Sequence, residues 1–239
     1  MNKLSELRKD ILAKGSPSKA KASQRFFKTG PGQYGEGDVF IGLTIPELRN
    51  ILKNYRDMRL ADLEKFLHSK EHEFRLAALL ILTEQFPRCA ESQKKKIYEM
   101  YLRNTKWINN WDLVDTSAAA IVGEYLQTKS VNPLLKLAKS KHLWERRIAM
   151  VAAFAYIRRG ESKAALKIAS LLINDTHDLM HKAVGWMLRE IGKRASIRDE
   201  IEFLERHAAT MPRTALRYAI ERFTPEKKTY YMNKKLVQK

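Results

Sequence analysis

The sequence predicts an all-α chain, an α-solenoid built from HEAT-like antiparallel helical repeats, with about five or six helix pairs and a concave basic face. Three observations predict it. Apolar residues recur at helical spacing along nearly the whole chain, with almost no strand-like alternation. Pro46, Pro87, Pro133, Pro212 and Pro225 fall where one periodic segment gives way to the next, so none interrupts a helix. Five segments also share one plan: EFRLAALLIL (Glu73–Leu82), LVDTSAAAIV (Leu113–Val122), ERRIAMVAAF (Glu145–Phe154), MHKAVGWMLR (Met180–Arg189) and ALRYAIERF (Ala215–Phe223). Each sets an ionisable residue ahead of a small, Ala-rich face and then large apolar residues. Aligned on that residue they give Arg75, Asp115, Arg147, Lys182 and Arg217, at intervals of 40, 32, 35 and 35 residues.

From the amino terminus, Leu4, Leu7, Ile11 and Leu12 mark one face of a first helix with charges between them, unlike a secretory leader. Gly15–Ser23 reads as a polar, basic connector. Gly30, Gly32, Gly35, Gly37 and Gly42 place half of the 10 glycines within thirteen residues, which predicts a shaped loop. It lacks the Gly-Lys-Ser/Thr ending of a phosphate loop, and two readings stand: a plain connection, or backbone lying close to DNA. Thr44 followed by Glu47 predicts a capping box for a helix through Leu48, Ile51 and Leu52. Second helices of the pairs follow at Gln93–Leu102, Pro133–Lys139 and Glu161–Leu172. These elements make one domain over residues 1–223, and residues 224–239, rich in lysine, read as a basic tail free to fray, with Tyr230 and Tyr231 available to pack.

Charge bounds the function. Against 27 Asp+Glu the 239 residues carry 45 Lys+Arg, a formal net charge of +18. Self-repulsion on that scale favours an anionic partner, with nucleic acid first and an anionic membrane surface second. The longest apolar run, Ile148–Ile157, is about half of the ~18–20 residues that a membrane-spanning helix needs. The single cysteine, Cys89, lies in a helix-connecting loop with no arrangement that would make it a nucleophile, and fits a reducing cytoplasm. His177 and His181 share a helix face without a third ligand at metal spacing, so no metal site is expected.

The aligned row is the most informative feature. Arg75, Arg147, Lys182 and Arg217 would form a basic ladder suited to phosphates, and an aspartate in that row needs a reason. Trp111 lies four residues before Asp115, Trp144 three before Arg147 and Trp186 four after Lys182, so each aromatic shares a helix face with its ionisable neighbour. Trp107 lies one turn before Trp111. A carboxylate among aromatics and cations suits the loss of an alkylated purine, whose departure leaves an oxocarbenium-like sugar that Asp115 would stabilise while orienting a water. Plainer readings stand beside this one. Asp115 could form a structural ion pair, for instance with Arg147. Trp144 and Trp186 could be core, Asp112 a helix cap or a ligand, and Lys182 a phosphate contact or an amine for a Schiff base with an abasic sugar.

At these residues the chain resembles a known family. NWDLVD (Asn110–Asp115), LWERRIA (Leu143–Ala149) and KAVGWMLRE (Lys182–Glu190) are similar to segments of bacterial AlkD-like DNA alkylation repair proteins, as is RFFKTGPGQYGEGDVFIGLTIPELR (Arg25–Arg49) at the amino-terminal side. The resemblance runs from about Ala20 to Phe223. It implies HEAT-like repeats that wrap duplex DNA and a monofunctional glycosylase hydrolysing N3- and N7-alkylated purine nucleosides without cofactor, metal or base flipping. It also implies a catalytic set of Asp115, Trp111 and Trp186 and a DNA contact from Arg147. Lys182, Arg75 and Arg217 of the aligned row, with Arg189 and Phe26, are the further DNA contacts expected, in a cytoplasmic, nucleoid-associated bacterial protein expected to be a monomer with no membrane partner. Phe26 stands where some relatives have a tyrosine, and Trp107 and Trp111 are separated where a relative has adjacent tryptophans. The alternatives are a non-catalytic helical-repeat binder of damaged or branched DNA and a protein-interaction scaffold.

Overall fold

The computed structural model of the chain describes residues 2–234 and divides into two compact units, Met1–Ser117 and Ala118–Lys239, where the sequence suggested a single domain over 1–223. Among the described residues there is no strand, only an isolated bridge between Val39 and Glu71. The first unit comprises α1 (Lys3–Ala13), α2 (Pro17–Phe26), α3 (Ile45–Leu52), α4 (Leu60–Leu67), α5 (His72–Gln85), α6 (Glu91–Arg103) and the start of α7 (Trp111–Ala118). A π-helical turn at Ala119–Gly123 leads into α8 (Glu124–Leu126), α9 (Asn132–Ala138), α10 (Leu143–Ala152), α11 (Phe154–Ile157), α12 (Lys163–Leu172), α13 (Asp178–Arg194), α14 (Ile197–His207), α15 (Arg213–Ala219) and α16 (Pro225–Asn233). No described helix is long and apolar enough to cross a membrane.

Local chemistry starts these helices where the sequence indicates. Thr44 and Glu47 close a reciprocal capping box on α3. Prolines stand in the first turns of α2, α3, α9 and α16, where a missing N–H costs nothing. Two expectations change. The Gly15–Ser23 stretch is mostly helix, because Ser16 caps α2 and Pro17 opens it. The expected tail is helical over Pro225–Asn233: Thr224 caps its start, and Tyr231 is buried against Phe223 at 5.6 Å. Residues 235–239 lie outside the described residues.

In the first unit, α5 is the central helix. Every residue from His72 to Leu82 is buried, and α3 and α4 pack on it. A helix that is apolar all round belongs inside. Its polar first turn is therefore buried too, and His72, Glu73 and Arg75 must all find partners there. Glu73 accepts the backbone N–H groups of Ile41 at 2.9 Å, Gly42 at 2.7 Å and Leu43 at 3.2 Å, pinning the end of the glycine-rich loop. Gly42 adopts φ +91°, and a Cβ there would run into the Ser16 carbonyl. In the second unit α10, α13 and α15 begin at Leu143, Asp178 and Arg213, a regular 35-residue step.

Candidate functional site

The positions picked from the sequence can be placed by counting from the start of each helix. Asp115, Arg147, Lys182 and Arg217 are each the fifth residue of α7, α10, α13 and α15. Those four share one repeat position. Arg75 does not: it is the fourth residue of α5, and its counterparts are Arg146 and His181. Arg75 is 2% exposed, with Nη2 on Asp38 Oδ1 at 2.6 Å and Nη1 on the Ser69 and Lys70 carbonyls, both at 2.9 Å. A guanidinium spent on three internal acceptors does not reach a phosphate, so the DNA contact expected of Arg75 is corrected to an internal brace.

The other cations differ in access. Arg147, expected as a DNA contact, is buried and donates from Nη1 to the Leu179 carbonyl at 2.5 Å. Lys182 is part-exposed and pairs with Asp178 at 2.8 Å. Arg189 pairs with Glu190 at 3.5 Å and with Glu221. Arg217 is exposed. Trp144 is core, the plainer of its two readings. Trp186 is part-exposed and lies 6.0 Å from the Phe154 ring, while Trp107 lies 5.4 Å from His68.

Around α7 the first unit builds a connected arrangement. Asn110 opens the helix, its Oδ1 accepting the Trp111 N–H at 2.8 Å while its Nδ2 donates to Asp38 Oδ2 at 3.3 Å. Asp112, the second residue of α7, is used inside the fold: Oδ1 accepts the Leu113 N–H, and Oδ2 lies 2.8 Å from Nε2 of His72. Nδ1 of His72 lies 3.2 Å from Asp38 Oδ2. Burial alone would depress the His72 pKa, but the charge and hydrogen bond of Asp112, with the bond to Asp38, push it up to about 9, Arg75 opposing. Asp38 moves the other way: burial would raise it, and the His72 bond with the Arg75 and His72 charges hold it below the ordinary carboxylate value.

Aromatic rings continue from His72 to the surface. The imidazole lies 4.7 Å from Phe40 at 26° and 5.2 Å from Phe27, Phe27 stacks on Phe40 at 5.1 Å, and Trp111 stacks on Phe27 at 5.3 Å and 23°. Phe26, 65% exposed, sets its edge on Trp111 at 5.7 Å. Asp115 is part-exposed, one turn along from Trp111. Behind it the buried Tyr101 hydroxyl bonds to Ser117 at 2.9 Å, and burial, aided by the Asp115 charge, pushes the phenol above its ordinary range. The sequence reading missed His72, Asp38, Phe27 and Phe40. The available signal was EHEFR leading into an unbroken apolar run, which marks charges that must be satisfied inside.

The chain matches the sequence model of the family described as DNA alkylation repair enzyme over residues 7–223. Among solved structures it resembles one titled "Predicted DNA alkylation repair enzyme from Enterococcus faecalis", at 16% identity and a TM-score of 0.68, over 88% of this chain and 97% of that one. At that identity the likeness is one of fold. No curated protein sequence matches it significantly.

Proposed function

The chain belongs to the DNA alkylation repair enzyme family, and on that premise we propose that it is a monofunctional DNA glycosylase, hydrolysing the N-glycosidic bond of N3- and N7-alkylated purines in duplex DNA. One observation carries the reading. The repeat position that holds a cation in α10, α13 and α15 holds Asp115 in α7, one turn from a tryptophan braced on Phe27. An acidic residue at a repeat position that otherwise holds cations weakens DNA binding, and that loss is offset where positive charge develops during reaction. Alkylated purines already carry positive charge and leave readily. The carboxylate then faces an oxocarbenium-like sugar and orients the attacking water. A unit charge pair at ~4 Å and an effective dielectric of about 20 contributes roughly 4 kcal/mol, on the order of a thousandfold in rate. Trp111, with Phe26 beside it, offers an apolar face for a deoxyribose. Trp186 is assigned the matching contact on the family resemblance, and Lys182 and Arg217, from their shared repeat position, are assigned the phosphates together with Arg189. No base need enter a pocket, in contrast to glycosylases that flip the nucleotide.

The test is release of free N3-methyladenine or N7-methylguanine from methylated duplex DNA. Wild type releases base, whereas Asp115→Asn slows release about a thousandfold and binds the duplex equally or more tightly. Full activity in Asp115→Asn overturns the mechanism. Salt-sensitive binding by wild type with no base release would instead leave a non-catalytic DNA binder.

A further inference from the structure

We propose that His72 is a positioning residue: held as an imidazolium between Asp38 and Asp112, it fixes the first turn of α7 and the plane of the Trp111 ring. The hydrogen-bond count requires the cation. Both ring nitrogens face carboxylate oxygens, at 3.2 and 2.8 Å. A neutral imidazole has one N–H, so its second nitrogen would turn a lone pair toward a carboxylate, whereas the imidazolium donates to both. The charge count agrees. Asp38, Asp112, His72 and Arg75 form one bonded set, all buried with side chains 2–5% exposed, in which two carboxylates balance two cations only while His72 is protonated; the neighbouring Glu73 is held separately by three backbone N–H groups. Loss of that proton leaves an uncompensated charge in the interior, which is strongly unfavourable.

The same ring carries the aromatic stack. Phe27 and Phe40 lie against the imidazolium, an arrangement favoured by cation–π attraction, and Trp111 rests on Phe27. Asp38 is the hub, receiving His72, Arg75 and Asn110, so the glycine-rich loop, the start of α5 and the start of α7 are tied at one carboxylate. Trp111 and Asp115 ride on the helix that this hub anchors. A tilt of its first turn moves both together, and catalytic geometry is sensitive to displacements of about 1 Å. The significance for base release rests on the glycosylase reading; the positioning of Trp111 does not.

The experiment has an arm for each. In wild type, 15N-detected histidine spectra at pH 7 should show two protonated nitrogens for His72. With 5-fluorotryptophan incorporated, the Trp111 19F signal, assigned by loss in Trp111→Phe, should shift with the same midpoint as the His72 imidazole when pH is raised. A singly protonated His72 at pH 7, or a Trp111 signal indifferent to its titration, overturns the proposal, and both are read on the wild-type protein, with Trp111→Phe serving only to assign the signal. In His72→Gln, checked for folding by circular dichroism, single-turnover release of N7-methylguanine should fall at least tenfold while affinity for a duplex bearing a tetrahydrofuran abasic site changes less than threefold. Unchanged release in folded His72→Gln sinks the proposal. If wild type itself releases no base, the glycosylase reading fails while the spectroscopic arm still decides whether His72 positions Trp111.

Discussion

Arg75 and Arg146 hold the backbone in the same way. The Nη1 of each donates to the carbonyl oxygens five and six residues earlier, Lys70 and Ser69 in one case and Lys141 and Ser140 in the other. Arg75 then places Nη2 on the buried Asp38, and Arg146 places both Nε and Nη2 on Asp175, whose side chain is 5% exposed. His181 repeats part of the device, with Nε2 2.5 Å from the Asp175 carbonyl oxygen six residues earlier. The fourth residue of these helices therefore ties the helix to the turn that leads into it.

Arg75→Ala should be among the most damaging single changes. It strands two carbonyls and removes one of the two cations that balance Asp38 and Asp112, which for a broken buried pair costs about 3–5 kcal/mol. Arg75→Lys should recover little, because a point-like ammonium cannot match three acceptors as a planar fork does. Arg146→Ala, whose side chain is more exposed, should cost less. Urea melts followed by circular dichroism rank the three; equal midpoints for Arg75→Ala and wild type would refute the bracing role.

That bracing position also explains what could be read from sequence and what could not. Helix starts were legible because their causes are local: Thr44 with Glu47, and prolines in first turns. The shared position of Asp115, Arg147, Lys182 and Arg217 was legible because it sits at a constant distance from each start. Arg75 was misaligned because the ionisable residue just ahead of the Ala-rich face was matched rather than the helix start; the Ser-Lys pair six residues before both Arg75 and Arg146 would have corrected it. The stack of Phe27, Phe40, His72 and Trp111 was not legible. Its members are far apart in the chain and meet only through tertiary packing. The carboxy-terminal helix was obscured by its lysines, although Thr224 and Pro225 are ordinary start signals.

The glycine-rich loop supplies a second prediction. Gly42→Ala meets both a left-handed backbone conformation and a collision with the Ser16 carbonyl, and it disturbs the amide that donates to Glu73. The conformational strain and clash together should cost about 2–3 kcal/mol. Gly37→Ala, at φ +83° but with open space around the new methyl, should cost only the conformational part. Thermal melts of the two variants separate the contributions; equal losses would mean that the close approach of the loop to α2 is unimportant.

Stability should fall on the alkaline side because of His72. Its folded pKa, about 9, lies above the ordinary histidine value of 6.5. A raised pKa means that the folded state binds the proton more tightly. The contribution is therefore full below pH 6.5 and is lost as pH rises through about 9. The charged groups facing the ring are Asp38 and Asp112, which favour the cation, and Arg75, which opposes it. Melting temperatures between pH 6 and 10 should drop for wild type and drop less in His72→Gln; parallel profiles would show that His72 is not the titrating group.

A second buried acid contributes in part of the same range and has to be separated. Glu200 is 2% exposed, its Oε1 has no hydrogen-bond partner, and Gly192 leaves the space that its Oε2 fills. Burial pushes its pKa up to about 8, with only the Arg189 charge opposing, and that guanidinium already pairs with Glu190 and Glu221. The sign is the same as for His72: folded protein prefers the protonated carboxyl, so stability is greatest below the ordinary value of 4.5 and is lost as pH rises through about 8. Glu200→Gln keeps the shape of the acid without its ionisation. It should melt close to wild type near pH 5 and above it at pH 9, and in that background the remaining alkaline loss belongs to His72. Gly192→Ala, by contrast, should destabilise at every pH, since its methyl collides with the carboxyl whether or not that group is charged. Profiles for Glu200→Gln and wild type that stay parallel from pH 5 to 9 would show that the carboxyl is already hydrated or paired, and the buried neutral acid would have to be abandoned.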